Sequence, residues 1–151
     1  MIVSQLKIVQ EVRLIECGVY AHSTDWHRTR ESIHRAVRGV DWPPGARTFT
    51  IYPQSGKKRG EGNGVKPIKL GLMKELARLG WAIEGSAKNA LNQTLGDFDA
   101  VIETTDGLVV VEWETGNISS SHRSLNKLAM LLMQGVIAAG VLVVPSTSPR
   151  F

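Results

Sequence analysis

The feature that most constrains this sequence is the segment at residues 96–117, which reads GDFDAVIETTDGLVVVEWETGN. It holds two apolar runs rich in β-branched residues, at positions 100–102 and 108–111, joined by Thr-Thr-Asp-Gly. An Asp-Gly pair between two such runs favours a tight turn. The segment therefore predicts an antiparallel β-hairpin.

The register of this hairpin depends on the length of its loop. A four-residue Thr-Thr-Asp-Gly loop places Asp99 opposite Glu112, whereas a two-residue Asp-Gly turn places Asp99 opposite Glu114. Both registers bring Asp99 against an acid. Because side chains alternate along a strand and directly opposed residues share a face, all three acids lie on one face, and Val111 and Trp113 lie on the other.

Like charges that face each other across two strands destabilise the pairing. Three carboxylates on one face of an apolar hairpin therefore favour a cation between them, and Mg²⁺ is held by carboxylate oxygens and substrate phosphate. A purely structural interpretation, in which the acids only keep the hairpin soluble, is disfavoured. Apolar residues on both faces imply burial, and a buried unpaired carboxylate is costly.

Composition narrows the class of protein. The 151 residues, 42% of them hydrophobic, suffice for a single domain spanning positions 1–151. The single cysteine, Cys17, forms no internal disulfide and no cysteine-based zinc site, so we expect a reducing cytoplasm. No signal peptide or membrane-spanning segment is predicted. The net charge of +4 weakly favours a polyanionic partner.

Upstream of the hairpin, apolar alternation at positions 5–17 predicts one or two strands. A helix capped by Thr24 or Asp25 is then expected to end near Gly39. A strand follows at positions 47–52, and Pro67 opens a second helix that ends at Leu79; both predictions rest on local sequence pattern.

Around the hairpin, the pattern predicts a strand at 81–84, a polar connection at 85–95, a helix after the hairpin, and an apolar strand at 141–144. Ser119, Ser120 or Ser121 is expected to cap that helix. The order is helix, strand, strand, strand, helix, strand.

Basic residues offer contacts for a polyanion. Lys57, Lys58 and Arg59 lie in a glycine-rich loop at positions 55–64, which nucleic-acid phosphates could order, although a solvated loop without function fits equally well.

The element order, an Asp at the start of the second core strand and an acid-x-acid pair on the third resemble the PD-(D/E)xK nuclease superfamily. Glu112-Trp113-Glu114 is most similar to the Glu-x-Glu version found in the BglII/BstYI/BamHI group of Type II restriction endonucleases. Asn-Gln-Thr at 92–94 and Thr-Gly-Asn at 115–117 agree. The resemblance covers roughly residues 66–145. It implies an α/β restriction-endonuclease-like core, α-β-β-β-α-β with a mixed sheet flanked by helices, and an N-terminal strand and helix extension.

The resemblance also implies roles for individual residues. Asp99 and Glu112 would bind Mg²⁺, for which Mn²⁺ substitutes, and Glu114 would replace the usual lysine near the attacking water. Glu75, on the upstream helix, would be an acid in the outer shell of the metal. Asn117, just past the strand, would contact DNA bases.

Two departures from the group's pattern leave alternatives open. Asp97 is a second candidate for the first acid, although only Asp99 falls opposite an acid in both registers. The sequence ends at Phe151, soon after the last predicted strand, where relatives continue into further elements, so a shortened or divergent relative is one expectation.

The helix after the hairpin carries His122, Arg123 and Lys127, which could take the phosphate-facing role of the missing lysine or form a solvated face. The resemblance thus implies a Mg²⁺-dependent endonuclease that cleaves double-stranded DNA as a homodimer, in restriction or phage defence. The alternative is a nuclease-fold protein, catalytically weak or inactive, that binds DNA or a partner without cutting.

Overall fold

The computed structural model of the chain describes residues 2–3, 5–50, 65–88, 92 and 94–146. One 3-10 turn at Tyr20–His22 precedes the first helix. The elements, in chain order, are β1 (Ile2–Val3), α1 (Thr24–Gly39), β2 (Phe49–Thr50), α2 (Val65–Arg78), β3 (Ala82–Ile83), β4 (Ser86–Lys88), β5 (Thr94–Asp97), β6 (Ala100–Thr104), β7 (Gly107–Trp113), α3 (Ile118–Met133) and β8 (Ile137–Val143).

The central sheet has the strand order β3-β6-β7-β8. β6 runs antiparallel to both β3 and β7, whereas β8 runs parallel to β7. Two parallel neighbours need a crossover connection, and α3 provides it. The order α2, β3, β6, β7, α3, β8 confirms the predicted mixed sheet flanked by helices. That residues 1–151 form one domain with its core at 66–145 stays a prediction.

The β6–β7 hairpin has the longer-loop register, with Glu103 paired with Leu108. Thr104 and Gly107 also pair, so the turn is centred one residue earlier than the Asp-Gly pair suggests. Gly107 has φ +126°, a region that favours glycine, and its carbonyl accepts a 2.7 Å hydrogen bond from the Thr104 hydroxyl. This turn leaves Asp99 next in register with Glu112.

β7 is buried on both faces, as expected of a strand covered by helices on each side. One face packs Val109, Val111 and Trp113 against residues of α1 and α2. The other packs Val110 against Leu128 of α3. Burying a valine side chain contributes about 1.5–3 kcal/mol, so this strand anchors the domain. Because side chains alternate along a strand, Glu112 lies on the same face as Val110, toward α3, and is buried there.

The prediction of strands at positions 5–17 is wrong. This segment has no regular secondary structure, and Val12 and Leu14 are 63% and 68% exposed. Ion pairs attach it to α1, because the Glu11 carboxylate lies 2.7 Å from the Arg30 Nε atom and 3.1 Å from His34 Nε2. Alternating apolar residues predict a strand only where another strand is available to pair with them.

Both helix caps differ from the prediction. Ser23 caps α1, one residue before Thr24, and Asn117 caps α3 in place of the serines at 119–121. Ser23 and Asn117, which lie one and two positions before the first predicted cap, have the extended backbone that a cap requires. Each helix therefore starts one residue or more before the expected place.

The remaining boundaries shift by a few residues. The polar connection predicted at 85–95 contains a second small hairpin, β4 and β5, in which Ser86 pairs with Asp97. β8 begins four residues before the predicted apolar strand because Ile-Ala-Ala-Gly also belongs to it. Small residues fit there: a Cβ on Gly140 would lie 3.0 Å from a methyl of Leu128 in α3. Among the described helices, none has the length and hydropathy needed to cross a membrane.

Candidate active site

A cavity of about 440 Å³ opens where the ends of β3, β5 and β7 meet the start of β6. Its lining residues are Glu84, Asp97, Phe98, Asp99 and Glu112. Every polar side chain in that set is a carboxylate. Oxygen donors of this kind suit hard divalent cations such as Mg²⁺.

Asp99 lies one residue before β6 and is held at both oxygens. Its Oδ2 atom accepts a 2.7 Å hydrogen bond from the backbone N–H of Trp113, across the hairpin. Its Oδ1 atom lies 2.8 Å from Nζ of Lys69 on α2. The first contact ties Asp99 to the end of β7 and so fixes it beside Glu112.

Glu112 is the buried acid of the site, with a side chain only 10% exposed. Its carboxylate contacts the ammonium group of Lys127 on α3. Burial raises the pKa of Glu112, and the nearby charge of Asp99 adds to this, while Lys127 acts in the opposite direction. An acid whose ionised form is disfavoured by burial is one that a bound cation stabilises strongly.

Lys127 makes two further contacts that fix its position. Its Nζ atom donates to the backbone carbonyl of Asp97 at 3.0 Å and lies 4.5 Å from the centre of the Phe98 ring. The residue predicted to face phosphate is therefore turned toward the acids.

In this structure the positive charges next to Asp99 and Glu112 are those of Lys69 and Lys127. Among the described residues, no three Asp, Glu, His or Cys side chains stand close enough together to coordinate one ion in this arrangement. The donor set nevertheless fits Mg²⁺, because all the candidate ligands are carboxylates lining one cavity. Coordination requires their side chains to turn from the lysines toward a common point.

Glu114 shares the face of Glu112 but has a different environment. Its Oε1 atom accepts a 2.6 Å hydrogen bond from the Ser124 hydroxyl of α3. That bond, followed by one from Ser120, lowers the pKa of Glu114 below its usual range. The structure directs Glu114 toward the start of α3, and it is not among the cavity-lining residues.

Glu75 lies elsewhere. Its Oε2 atom is 2.6 Å from Nη2 of Arg78, and its side chain packs where a Cβ on Gly39 of α1 would stand. It faces α1 because the stripe of α2 that borders it is buried against that helix. Glu75 is absent from the cavity lining.

Glu84 lines the cavity but was not among the predicted site residues. Its backbone N–H donates to the carbonyl of Asp99 at 2.9 Å, and its φ of +55° is unusual for a residue other than glycine. Glu84 ends the strand predicted at 81–84, but the period of a strand does not encode the left-handed backbone that Glu84 adopts beside the cavity.

The candidate DNA contacts are only partly described. Asn117 Oδ1 accepts the backbone N–H groups of Ser119 and Ser120, at 3.0 and 3.3 Å, so only its amide nitrogen remains for a base. His122 and Arg123 are exposed on α3. The predicted basic residues Lys57, Lys58 and Arg59 lie outside the described residues.

Comparison with known proteins identifies the family. The family model described as "Restriction endonuclease BamHI" matches residues 6–149. Type II restriction enzyme OkrAI of Oceanobacter kriegii is 43% identical over 114 residues, which are 76% of this chain and 56% of the relative. Type II restriction enzyme BamHI of Bacillus amyloliquefaciens is 51% identical over 37 residues, 24% of this chain and 17% of the relative.

The alignment with OkrAI thus spans about half of that relative's length. The resemblance to the BamHI group of Type II restriction endonucleases is confirmed, because the family match covers nearly the whole chain. This chain therefore belongs to the BamHI family of restriction endonucleases.

Proposed function

We propose that this protein is a Mg²⁺-dependent endonuclease that hydrolyses phosphodiester bonds in double-stranded DNA. The observation that carries the proposal is the juxtaposition of Asp99 and Glu112 on the β6–β7 hairpin, in a cavity whose polar lining is entirely carboxylate. Membership of the BamHI family and the names of the two relatives, both Type II restriction enzymes, support the same chemistry.

Asp99 and Glu112 are the residues that would hold the ion. When bound there, Mg²⁺ would lower the pKa of a coordinated water and neutralise charge on the phosphate and the leaving oxygen; Mn²⁺ would substitute. The chain contributes orientation, because the backbone N–H of Trp113 fixes Asp99 at 2.7 Å. It also excludes bulk water around Glu112, which strengthens the attraction between this carboxylate and a cation.

Asp99 is a better first ligand than Asp97. The Asp99 carboxylate is turned toward Trp113 and Glu112, whereas Asp97 belongs to the edge hairpin and contacts Lys127 through its backbone carbonyl. Asp97 and Glu84 would therefore add two further carboxylates to the cavity that Asp99 and Glu112 line.

Glu114 would act on the attacking water. Its lowered pKa keeps it ionised at neutral pH but also makes it a weaker base, so proton transfer to Glu114 requires a change in its hydrogen bonds. Its 2.6 Å bond to Ser124 must loosen before its carboxylate can turn toward the cavity. Glu75, paired with Arg78, is the weakest of the proposed catalytic residues.

Lys127 and Arg123 on α3, the amide of Asn117, and the basic residues 57–59 would bind DNA. Phosphate contacts from lysine and arginine position the duplex, and an amide can read a base edge. We further propose that the protein acts as a homodimer and in the cytoplasm, as expected of an enzyme that cleaves both strands of cellular or phage DNA.

A second function is favoured by one observation. Both central acids already have a lysine partner, Lys69 for Asp99 and Lys127 for Glu112. Such pairs could be a permanent structural network, in which case the protein would bind DNA or a partner through a nuclease fold without cutting it.

Plasmid cleavage distinguishes the two. Purified protein with plasmid DNA and Mg²⁺ is expected to nick or linearise the plasmid, and EDTA, Asp99→Asn or Glu112→Gln should abolish this. The matched control is Glu103→Gln, which removes an exposed acid from the same hairpin and should cut like the wild type. DNA binding without cleavage in the wild type would favour the second function. Cleavage by Asp99→Asn, with Asp97→Asn inactive, would move the first ligand to Asp97.

A further inference from the structure

Two lysines reach the acid cavity from helices on opposite faces of the sheet. Lys69 of α2 lies 2.8 Å from Asp99, and Lys127 of α3 contacts Glu112. We propose that Lys127 is a built-in counter-cation of the acid site, which a divalent metal ion must displace from Glu112 before it can bind. This inference rests on the proposed metal site.

Glu112 is buried beside Asp99. Its side chain is 10% exposed, and that of Asp99 is 19% exposed, so two negative charges lie close together with little water around them. Such a pair needs nearby positive charge to remain ionised in the folded protein. The two lysine ammonium groups supply one positive charge for each carboxylate.

Competition follows from this balance of charge. A divalent ion placed between the carboxylates would add two positive charges within a few ångströms of the Lys127 ammonium, where repulsion is strong because the site is poorly hydrated. Ion and ammonium would compete for the single negative charge of Glu112, and the repulsion between them favours loss of the ammonium contact. The ion pair therefore lowers the affinity of the free protein for metal.

Lys127 has two contacts that do not depend on Glu112. Its ammonium group already donates to the Asp97 carbonyl at 3.0 Å and lies 4.5 Å from the centre of the Phe98 ring, so these contacts would hold it once the ion pair breaks. A displaced ammonium at the cavity rim also attracts an anion. A DNA phosphate would therefore favour the displaced position, and DNA and metal should each raise the affinity for the other.

Calorimetric titration of Mn²⁺ into the full-length protein, without DNA, tests the competition. Lys127→Met should bind Mn²⁺ about tenfold more tightly than the wild type, as expected when one close charge competitor is removed. Lys127→Arg keeps the charge and should bind like the wild type. Lys74→Met, which removes an exposed lysine from α2, is the matched control and should leave the affinity unchanged.

The outcomes separate the inference from the function on which it rests. Wild-type binding of Mn²⁺ with an equal or lower affinity in Lys127→Met would overturn the competition and leave the metal site intact. A purely structural role for Lys127 would also lower the affinity, because its loss would disturb Glu112. Absence of Mn²⁺ binding in the wild type and in every variant would overturn the metal site itself.

A second measurement uses only the wild-type protein, so it does not depend on whether a variant folds. Wild-type protein is treated briefly with an amine-acetylating reagent, with and without saturating Mg²⁺, and acetylation at each lysine is read by mass spectrometry. Displacement from Glu112 should raise the acetylation rate of Lys127 several-fold when Mg²⁺ is bound, with Lys74 unchanged as the internal reference. An equal rate at Lys127 in both conditions would contradict the proposal.

Discussion

Glu112 and Glu114 lie two positions apart and face the same helix, yet their environments have opposite effects on ionisation. Burial raises the pKa of Glu112, which contacts the lysine at position 127 of α3. The hydroxyl of Ser124, one turn earlier on α3, lowers the pKa of Glu114. A Glu-x-Glu motif fixes which face the two acids share, but α3 decides their chemistry: one acid needs a cation, and the other is already satisfied by neutral donors.

The largest expected difference between the two acids is in metal binding. Glu112→Gln should weaken Mn²⁺ binding by about 100-fold or more, because it removes a carboxylate from the buried centre of the site. Glu114→Gln should weaken Mn²⁺ binding far less, because the Glu114 carboxylate is hydrogen-bonded to the Ser124 hydroxyl. Calorimetry on both variants measures this. A greater loss of Mn²⁺ affinity in Glu114→Gln than in Glu112→Gln would contradict this difference between the two acids.

Ser124→Ala tests the Glu114 side. Ser124 is buried, and its hydroxyl donates to a carboxylate, so its loss should destabilise the protein by about 1.5 kcal/mol at pH 7 in urea unfolding. A lowered carboxyl pKa stabilises the fold above the unfolded value and ceases to do so as the pH falls through the folded value. The destabilisation should therefore shrink below about pH 4.5. Ser119→Ala, on the exposed side of α3, is the control; an equal effect there would rule out the bond as the cause.

Asn117 caps the helix that serves both acids, and it is closer to Ser124 than to Lys127 in the chain. Asn117→Ala should cost about 1 kcal/mol by releasing two backbone N–H groups, and it should perturb Glu114 more than Glu112. Asn117→Asp keeps the capping oxygen but lacks the amide donor and adds a negative charge, so it should retain stability, weaken DNA binding and change DNA sequence preference. If Asn117→Asp keeps the sequence preference of the wild type, Asn117 does not contact the bases.

The smallest expected effect is on the pH dependence of stability, measured with a chelator present. The raised pKa of Glu112 means that its ionisation opposes folding, so this cost is absent below about pH 4.5 and appears as the pH rises through the folded value. Glu112→Gln should therefore gain stability relative to the wild type between acid and neutral pH. A stability difference that stays constant from pH 4 to pH 8 would contradict the raised pKa.

Local features of the site could be predicted from the sequence. Turn residues and apolar runs specify the β6–β7 hairpin, and the strand period then places Asp99 opposite Glu112 or Glu114, depending on the loop; the structure has the longer-loop register, with Glu112. These relations involve residues joined by one short turn. The chain offers few alternative ways to satisfy them.

Contacts between distant elements could not be predicted in the same way. Lys127 was expected to face phosphate or solvent, but its contact with Glu112 depends on how the α3 crossover packs over β7. Glu84 enters the cavity through a left-handed backbone that helical or strand periodicity does not encode. Glu75, at the edge of a predicted buried stripe, faces α1 because of the packing of α2.

Asp99 and Glu112 are proposed to hold a divalent ion that replaces Lys127. A crystal structure of the protein grown with Mn²⁺, with anomalous data collected near the manganese absorption edge, would locate this ion. We expect an anomalous peak within coordination distance of both carboxylates, with the Lys127 ammonium no longer in contact with Glu112 and held by the Asp97 carbonyl and the Phe98 ring. A cavity without an anomalous peak at saturating Mn²⁺, with Lys127 still against Glu112, would contradict it.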